Sequence, residues 1–511
     1  MSDRTQYGEG DSHDRFHEPD GPDIRQADTS APNSIETRVV HPPSQQEIQA
    51  KKDQVAEAQV AVQEAKANLE KKEQQAQQAS SLAEGNLTSI DDRMLHAFLE
   101  GKATPVDAFT SSLGVHEARA HLQGMYAVLH NTDAEYHDML ALRYQHLGNR
   151  LEVARQRVTA AELREQAGEA HISVVKELRE CIKIKQKAAG ESLAAAEQQY
   201  EPSKAALAQA ELDYLEQVLA NNREQLSSAS QRQLVRKADT LEARATLEKI
   251  AASQALATGD THAHLIANAE STRLNAESLQ KRFTAFEVLD YDSDDHLQKK
   301  QEADLSAARA WVEAHRAQKA LYEYERQILE DTLFKTTDTA DTRACRVKIA
   351  DLQAQEAKTH YDECFAIMRR ARIESQAFLL KNQEQEPLEI ETALEQMLER
   401  GRLELRKEKA EQDEHIAKDS LIQRRQGCFE IRAQVCDEAA QAMADQRQRA
   451  EWEAWAVEYR ARGAGILLEF AQPEERDMLR SQKQGYEELA VDTWNKIDIL
   501  RENLPSEPFP L

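Results

Sequence analysis

Proline, the strongest breaker of helices, is almost absent from the middle of this sequence. Five of the twelve prolines fall within residues 1–43 and three within residues 505–511. The four that lie between these ends are Pro105, Pro202, Pro387 and Pro473. Because proline removes a backbone donor and clashes with the preceding helical turn, its absence leaves the long interior free to form extended helices.

The composition also favours helices. Of the 511 residues, 31% are charged and only 5% are aromatic. Such a chain suits long helices packed side by side better than a thick globular core. The predicted fold is therefore all-α, an elongated antiparallel coiled coil or helical bundle behind a disordered N-terminal tail. The net charge of −26 would repel a duplex, so no nucleic-acid partner is expected.

Apolar residues recur every seven positions once the proline-rich start ends. This spacing predicts a coiled-coil seam whose small side chains let helices approach closely. The first seam consists of Ile48, Val55, Val62, Leu69 and Ala76, with Ala58 and Ala65 between them. Later rows are Leu140, Leu147 and Ala154; Tyr144, Leu151 and Val158; and Leu212, Leu219 and Leu226, followed after a one-residue slip by Leu234 and Leu241.

These patterns divide the chain into four regions. Residues 1–43 lack a hydrophobic repeat and are predicted to be disordered. Residues 44–114 are predicted to form a coiled-coil helix and a connection with a short helix at Met94–Leu99, and residues 115–420 to form long helical hairpins. Residues 421–511 form a helical region of unknown role. If unbroken, the helix from 115 to 199 would extend about 125 Å.

Turn-forming segments divide the interior into helices. "YEPSK" (200–204) places Pro202 near a helix start, where proline is tolerated. Further breaks are predicted at "ATGDT" (257–261), "DYDSDD" (290–295), "KTTDTADT" (335–342), "QEPLE" (385–389) and "AQPEE" (471–475).

The sequence contains no recognisable catalytic, cofactor-binding or metal-binding set. His116 and His121 are five positions apart and diverge on a helix, so a solvated face is expected; His262 and His264 are expected at the surface of a helix start.

The acidic residues Asp292, Asp294 and Asp295 suit a turn and a helix N-cap. The widely spaced cysteines, which favour free thiols, are Cys181, Cys345, Cys364, Cys428 and Cys436.

The start "MSDRTQYGEG" is polar, and the apolar run "GAGILL" (463–468) is far too short to span a bilayer. We therefore expect synthesis in the cytoplasm without a signal peptide, with extracellular release by lysis or a specialised route left open.

Three of the four tryptophans lie beyond residue 451, and Trp452, Trp455, Tyr459 and Ile466 fall at helical spacing. One interpretation is an interfacial helix that contacts a bilayer or a partner groove without spanning the membrane. The other is an ordinary helix–helix core at the end of the bundle. Charges of both signs on the opposite face favour the core.

A short strand-like stretch, "SIETRVVHPP" (34–43), stands in the polar tail. Its β-prone residues alternate with Glu36 and Arg38, and its exposed backbone suits addition to the edge of another protein's sheet. Pro42 and Pro43 cannot donate hydrogen bonds, so such pairing must stop there.

The pentapeptide "ETRVV" resembles the TonB box of colicins and pyocins, the bacteriocins that Gram-negative bacteria aim at close relatives. The box residues would be Glu36, Thr37, Arg38, Val39 and Val40. The resemblance implies pairing of this segment with TonB, a helical receptor-binding region behind it and a toxic module at the end. The expected partners are then an outer-membrane receptor and TonB.

The C-terminus departs from that family. It has no long apolar hairpin of the kind that forms pores, and residues 420–511 hold 12 Lys and Arg against 17 Asp and Glu, unlike basic nucleases. Two alternatives stay open: a cytoplasmic coiled-coil scaffold that self-associates through the Ile48–Ala76 seam, and a helical membrane-active toxin. An enzyme is the least favoured class.

Overall fold

The computed structural model describes residues 42–80, 105–288, 294–383 and 390–497, together with residues 499, 504 and 506–509. This part of the chain is helical throughout, and connecting segments separate its helices. The helices are α1 (Gln45–Ser80), α2 (Pro105–His146), α3 (Arg150–Gln198), α4 (Pro202–Thr258), α5 (Thr261–Glu287), α6 (Asp294–Lys335), α7 (Thr339–Gln383), α8 (Ile390–Ala442), α9 (Gln446–Phe470) and α10 (Arg476–Asn495).

Each helix packs against the helices that precede and follow it in the sequence. The α3–α4 pair shows the direction of packing, because residue numbers fall along α3 as they rise along α4. The bonds that set this register are Asn222 Nδ2 to Val175 O, Gln233 Nε2 to Glu165 O and Arg244 Nη2 to Glu162 Oε1. The predicted all-α fold of antiparallel helices is therefore confirmed.

Small residues occupy the closest contacts between helices. On α4 the buried row consists of Ala208, Leu215, Asn222 and Ala229, followed by Ala238, Ala245 and Ala252. The seven-residue period matches the prediction, but the predicted row from Leu212 to Leu241 is only partly buried. Alanine side chains allow close approach of the backbones, and the leucines flank them.

The first predicted seam is present on α1, where Ile48, Val55, Val62 and Ala76 are buried. Val62 and Ala65 pack against Leu122 of α2. The seam therefore closes within the chain, against α2, and is not open to a second copy.

A helix that has a neighbouring helix on each side carries two buried stripes, one against each neighbour. On α5, the Ser271 and Ser278 hydroxyls donate to the carbonyls of Ala245 and Ala238 on α4, each over 2.8 Å. Ala276, on another side of α5, packs against Ala310 and Ala314 of α6. This arrangement explains why small residues are spread around the helix and not gathered in one stripe.

Most predicted helix boundaries are observed. Pro202 begins α4, and helices end at or beside "ATGDT", "KTTDTADT" and "AQPEE". α6 begins at Asp294 within "DYDSDD", whereas most of that segment, all of "QEPLE" and the predicted short helix at Met94–Leu99 lie outside the described residues.

The helical stretch predicted from residue 115 to 199 is present but not unbroken, because α2 ends at His146 and α3 starts at Arg150. Gly148 adopts a left-handed φ of 71°, which suits glycine, and Asn149 caps α3 by accepting a hydrogen bond from Glu152 N over 3.1 Å. A second unpredicted break separates α8 from α9, where Asp445 accepts from Gln448 N over 2.9 Å.

The region boundaries drawn from sequence after residues 114 and 420 fall inside α2 and α8, so the structure has no break at either position.

Candidate functional site

The TonB-box-like residues Glu36, Thr37, Arg38, Val39 and Val40 lie outside the described residues. The described part of the chain begins just after them, at Pro42. Ser44 and Glu47 form a capping box, in which Glu47 N donates to Ser44 Oγ over 3.2 Å and Ser44 N donates to Glu47 Oε2 over 2.6 Å. Hydrogen bonds from the Ser44 backbone and side chain lower the pKa of Glu47. The helical body thus begins at a defined point, four residues after Val40.

The C-terminal aromatic residues form a helix–helix core, as the favoured interpretation holds. Tyr459 is 0% exposed and Trp455 is 5% exposed. The Trp455 and Trp494 rings meet edge to face with centroids 5.5 Å apart, and Trp452 and Ile466 pack at the margin of the same cluster. Residues buried among neighbours in this way are not presented to a bilayer in this structure.

A segment near the end of the chain closes this core. Phe509 O accepts hydrogen bonds from Arg432 Nε and from Tyr459 Oη, each over 3.1 Å. Arg462 Nη1 lies 2.6 Å from Glu507 Oε1. The segment at residues 507–509 is therefore held by three side chains of α8 and α9.

Arg432 is 0% exposed and is the centre of a buried polar network. Its Nη1 and Nη2 donate to the two carboxylate oxygens of Asp351 on α7, over 2.6 and 2.9 Å. The Cys428 thiol donates to the same carboxylate over 2.8 Å. The network joins α7, α8 and the closing segment. No local sequence pattern predicts it, because Asp351 and Phe509 lie 81 and 77 positions from Arg432.

The four buried thiols, those of Cys181, Cys364, Cys428 and Cys436, are poor nucleophiles in this setting. Burial, with the neighbouring Asp351 carboxylate, raises the pKa of Cys428 to about 12, and burial raises that of Cys436 to about 12. Burial also raises the pKa values of Cys181 and Cys364 to about 11. None of the five cysteines is in a disulfide. Because only the thiolate attacks, these shifts give inert thiols.

The histidines singled out from the sequence lie apart from one another. The expectation of a solvated face is wrong for His116, which is partly buried with its Nδ1 2.7 Å from Glu177 Oε2 on α3. His121 is exposed. His262 is exposed near the start of α5, with Nε2 3.1 Å from Glu325 Oε1, and His264 Nδ1 lies 2.9 Å from Ala252 O.

Within the described ranges, no group of three or more His, Cys, Asp or Glu side chains is placed to hold a metal ion. The helices in those ranges are also too polar for any of them to cross a membrane.

The start of α4 carries an exposed row of large side chains. Tyr200, in the α3–α4 turn, is 91% exposed and has a positive φ of 54°. Leu207 and Tyr214 occur at intervals of seven after it and are also exposed. Leu207 and Tyr214 are seven apart on α4 and so share a face, and Tyr200 lies in the turn just before the helix. Exposed tyrosines and leucines of this kind suit a protein contact.

No model of a known protein family matches the chain, and no curated protein matches it either.

Proposed function

We propose that this chain is a TonB-dependent bacteriocin, or the receptor-binding and translocation part of one. The observation that carries the proposal is the strand-prone box at residues 36–40, placed in a polar segment before the capping box at Ser44. Strand addition uses backbone donors and acceptors along the added segment, and Pro42 and Pro43, which lack an N–H, would end the pairing.

The helical body would supply reach and receptor contact. Long antiparallel helices with close alanine seams are stiff, and the exposed row of Tyr200, Leu207 and Tyr214 is its best candidate for contact with an outer-membrane receptor. The protein would be made in the cytoplasm of a producing cell and released by lysis. Its killing activity is unassigned.

A binding experiment tests the box without requiring toxicity. A peptide of residues 30–43 is titrated into the purified, isotope-labelled periplasmic domain of TonB and followed by NMR. Backbone pairing predicts saturable shifts confined to one sheet edge. Val39→Pro, which removes a backbone donor, should abolish the shifts, whereas Val39→Thr should retain them. Equal binding by the proline variant, or no binding by the native peptide, would refute the proposal.

A cellular experiment tests import. The full chain is applied to a panel of Gram-negative strains and to matched mutants that lack TonB. Deletion of residues 36–40 should abolish killing and leave cell-surface binding intact. An equally long deletion of residues 26–30, in the same polar segment, is the control and should leave both intact. Killing that survives loss of the box would overturn the import mechanism.

The second candidate is a coiled-coil interaction protein. The α1 seam already packs against α2, so self-association through Ile48–Ala76 has no open surface. The observation that favours this candidate is an exposed apolar row on α8: Leu394, Met397, Leu398 and Leu405. The variant Met397→Glu/Leu398→Glu should then reduce association in sedimentation velocity. A monomer at every concentration would count against this candidate in its self-associating form.

A further inference from the structure

A small polar cavity lies where α2, α3 and α4 meet. Its volume is about 120 Å³, which is enough to hold water or a small ligand. The side chains that line it include Asn131, His171, Arg232, Gln233 and Arg236. Three helices thus contribute polar groups to one space, and none of its lining residues is acidic.

The cavity is electropositive in a chain of strongly negative net charge. Neither Arg232 nor Arg236 forms an ion pair with any residue in the described ranges. The nearby carboxylates are engaged elsewhere, because Asp239 pairs with Arg282 and Glu169 with Lys237. Partial burial and the charges of Arg232 and Arg236 lower the pKa of His171. At physiological ionic strength the Debye length is about 8 Å. The electrostatic potential in the cavity is therefore set by these nearby charges and not by the distant acidic surface.

Gly168 makes this arrangement possible. A Cβ at that position would lie 1.9 Å from Gln233 Oε1 and 2.9 Å from Arg236 Nη1. Without that atom, Gln233 Nε2 donates to Glu165 O and Arg236 Nη1 donates to Arg164 O, each over 3.1 Å. The glycine therefore lets two side chains of α4 sit directly on the backbone of α3.

One polar atom of the lining has no partner. Gln233 is 5% exposed, and its Oε1 is buried without a hydrogen bond in the described part of the chain. That acceptor is shielded from the cavity, so the recognition groups that the cavity offers to a ligand are its cationic donors.

We infer that this cavity binds a small oxyanion, of which inorganic phosphate is the simplest. The guanidinium groups of Arg232 and Arg236 match phosphate oxygens in charge and geometry. The inference does not depend on the proposed function.

The test titrates inorganic phosphate into the full chain at 0.15 M NaCl and pH 7, by calorimetry and by NMR of the histidine ring signals. We expect saturable binding with a shift of the His171 signal, and at least tenfold weaker binding for Arg232→Gln and for Arg236→Gln. Arg223→Gln removes the same charge from α4 outside the cavity and should change the affinity less than twofold.

Circular dichroism checks that each variant is folded. Arg232 is exposed, so its variant keeps the test valid even if Arg236→Gln disturbs the α3–α4 contact. Absence of saturable binding up to tens of millimolar phosphate would overturn the inference. So would binding that Arg232→Gln and Arg223→Gln weaken equally, which would indicate only a general charge effect.

Discussion

At the scale of single residues, the stability of the C-terminal core should depend strongly on the buried hydrogen bonds of Arg432. Arg432→Ala leaves Asp351 without its cation and Phe509 O without one of its two donors. Removing one partner of a buried ion pair costs about 3 kcal/mol or more. We expect a loss of that size in urea unfolding followed by tryptophan fluorescence, since Trp452, Trp455 and Trp494 all lie in this core.

Arg449→Ala is the matched control for this measurement. Arg449 forms an exposed pair with Glu453 one turn away, at 3.2 Å. Such pairs contribute about 0.5 kcal/mol or less. Equal losses for the two arginine variants would show that burial of Arg432 has no special energetic role.

The raised thiol pKa values predict sensitivity to alkali. A thiol whose pKa is about 12 when folded and about 9 when unfolded binds its proton more tightly in the folded state. Its contribution to stability is complete below pH 9 and is lost as the pH rises towards 12. At pH 10.5 the loss from Cys428 should be about 1–2 kcal/mol. Urea midpoints at pH 8 and pH 10.5 measure it.

Cys428→Ser separates this effect from general alkaline unfolding. The serine hydroxyl can still donate to Asp351 but does not titrate in this range. The serine variant should therefore lose less stability between the two pH values than the native chain. An identical loss in both proteins would assign the alkaline effect to other groups.

At the scale of helices, replacing Gly148 or Gly190 with alanine should change the stability of the protein in opposite directions. Gly148 has a φ of 71°, so Gly148→Ala should destabilise the α2–α3 turn by about 1 kcal/mol. Gly190 lies inside α3 with no other atom within 4 Å of its missing Cβ. Gly190→Ala should therefore stabilise the protein by about 0.5–1 kcal/mol. Thermal unfolding followed by circular dichroism measures both, and shifts of the same sign would contradict the assignment.

Sequence reasoning predicts the helices well because their evidence is local. Proline and turn-forming segments placed most boundaries, and the seven-residue period identified the α1 seam. The break at "LGN" was missed because two apolar rows continue across Gly148. The leucine spacing does not predict the buried row of α4, because close packing on two sides of a helix selects alanine at most of the buried positions.

The polar sites are harder to predict because they depend on pairing between distant helices. Arg432 meets Asp351, which is 81 positions away in the sequence. Gly168 was the available clue to the cavity, since a glycine inside an alanine-rich helix often marks a close approach. Nothing local shows that Gln233 and Arg236 face that glycine.

At the scale of the whole molecule, contacts between helices follow the order of the chain. Repeat proteins with only nearest-neighbour contacts have stabilities that add along the chain, and they lose cooperativity when one region is weakened. The part of the chain from Pro43 onward should behave in the same way. The C-terminal core is joined to the rest mainly through α8 and the Asp351 contact on α7, so it is the region most easily uncoupled.

Arg432→Ala should therefore split the unfolding transition in two. Two probes report separately in the chain with all four tryptophans: tryptophan fluorescence, to which Trp452, Trp455 and Trp494 contribute from the C-terminal core, and helical circular dichroism, to which every helix contributes. Without the substitution, the urea midpoints of the two probes should lie close together. With Arg432→Ala, the fluorescence midpoint should fall, while most of the helical circular dichroism signal unfolds at the original midpoint. If both probes moved together, the helices would form one cooperative unit, and their nearest-neighbour contacts would not limit how unfolding spreads.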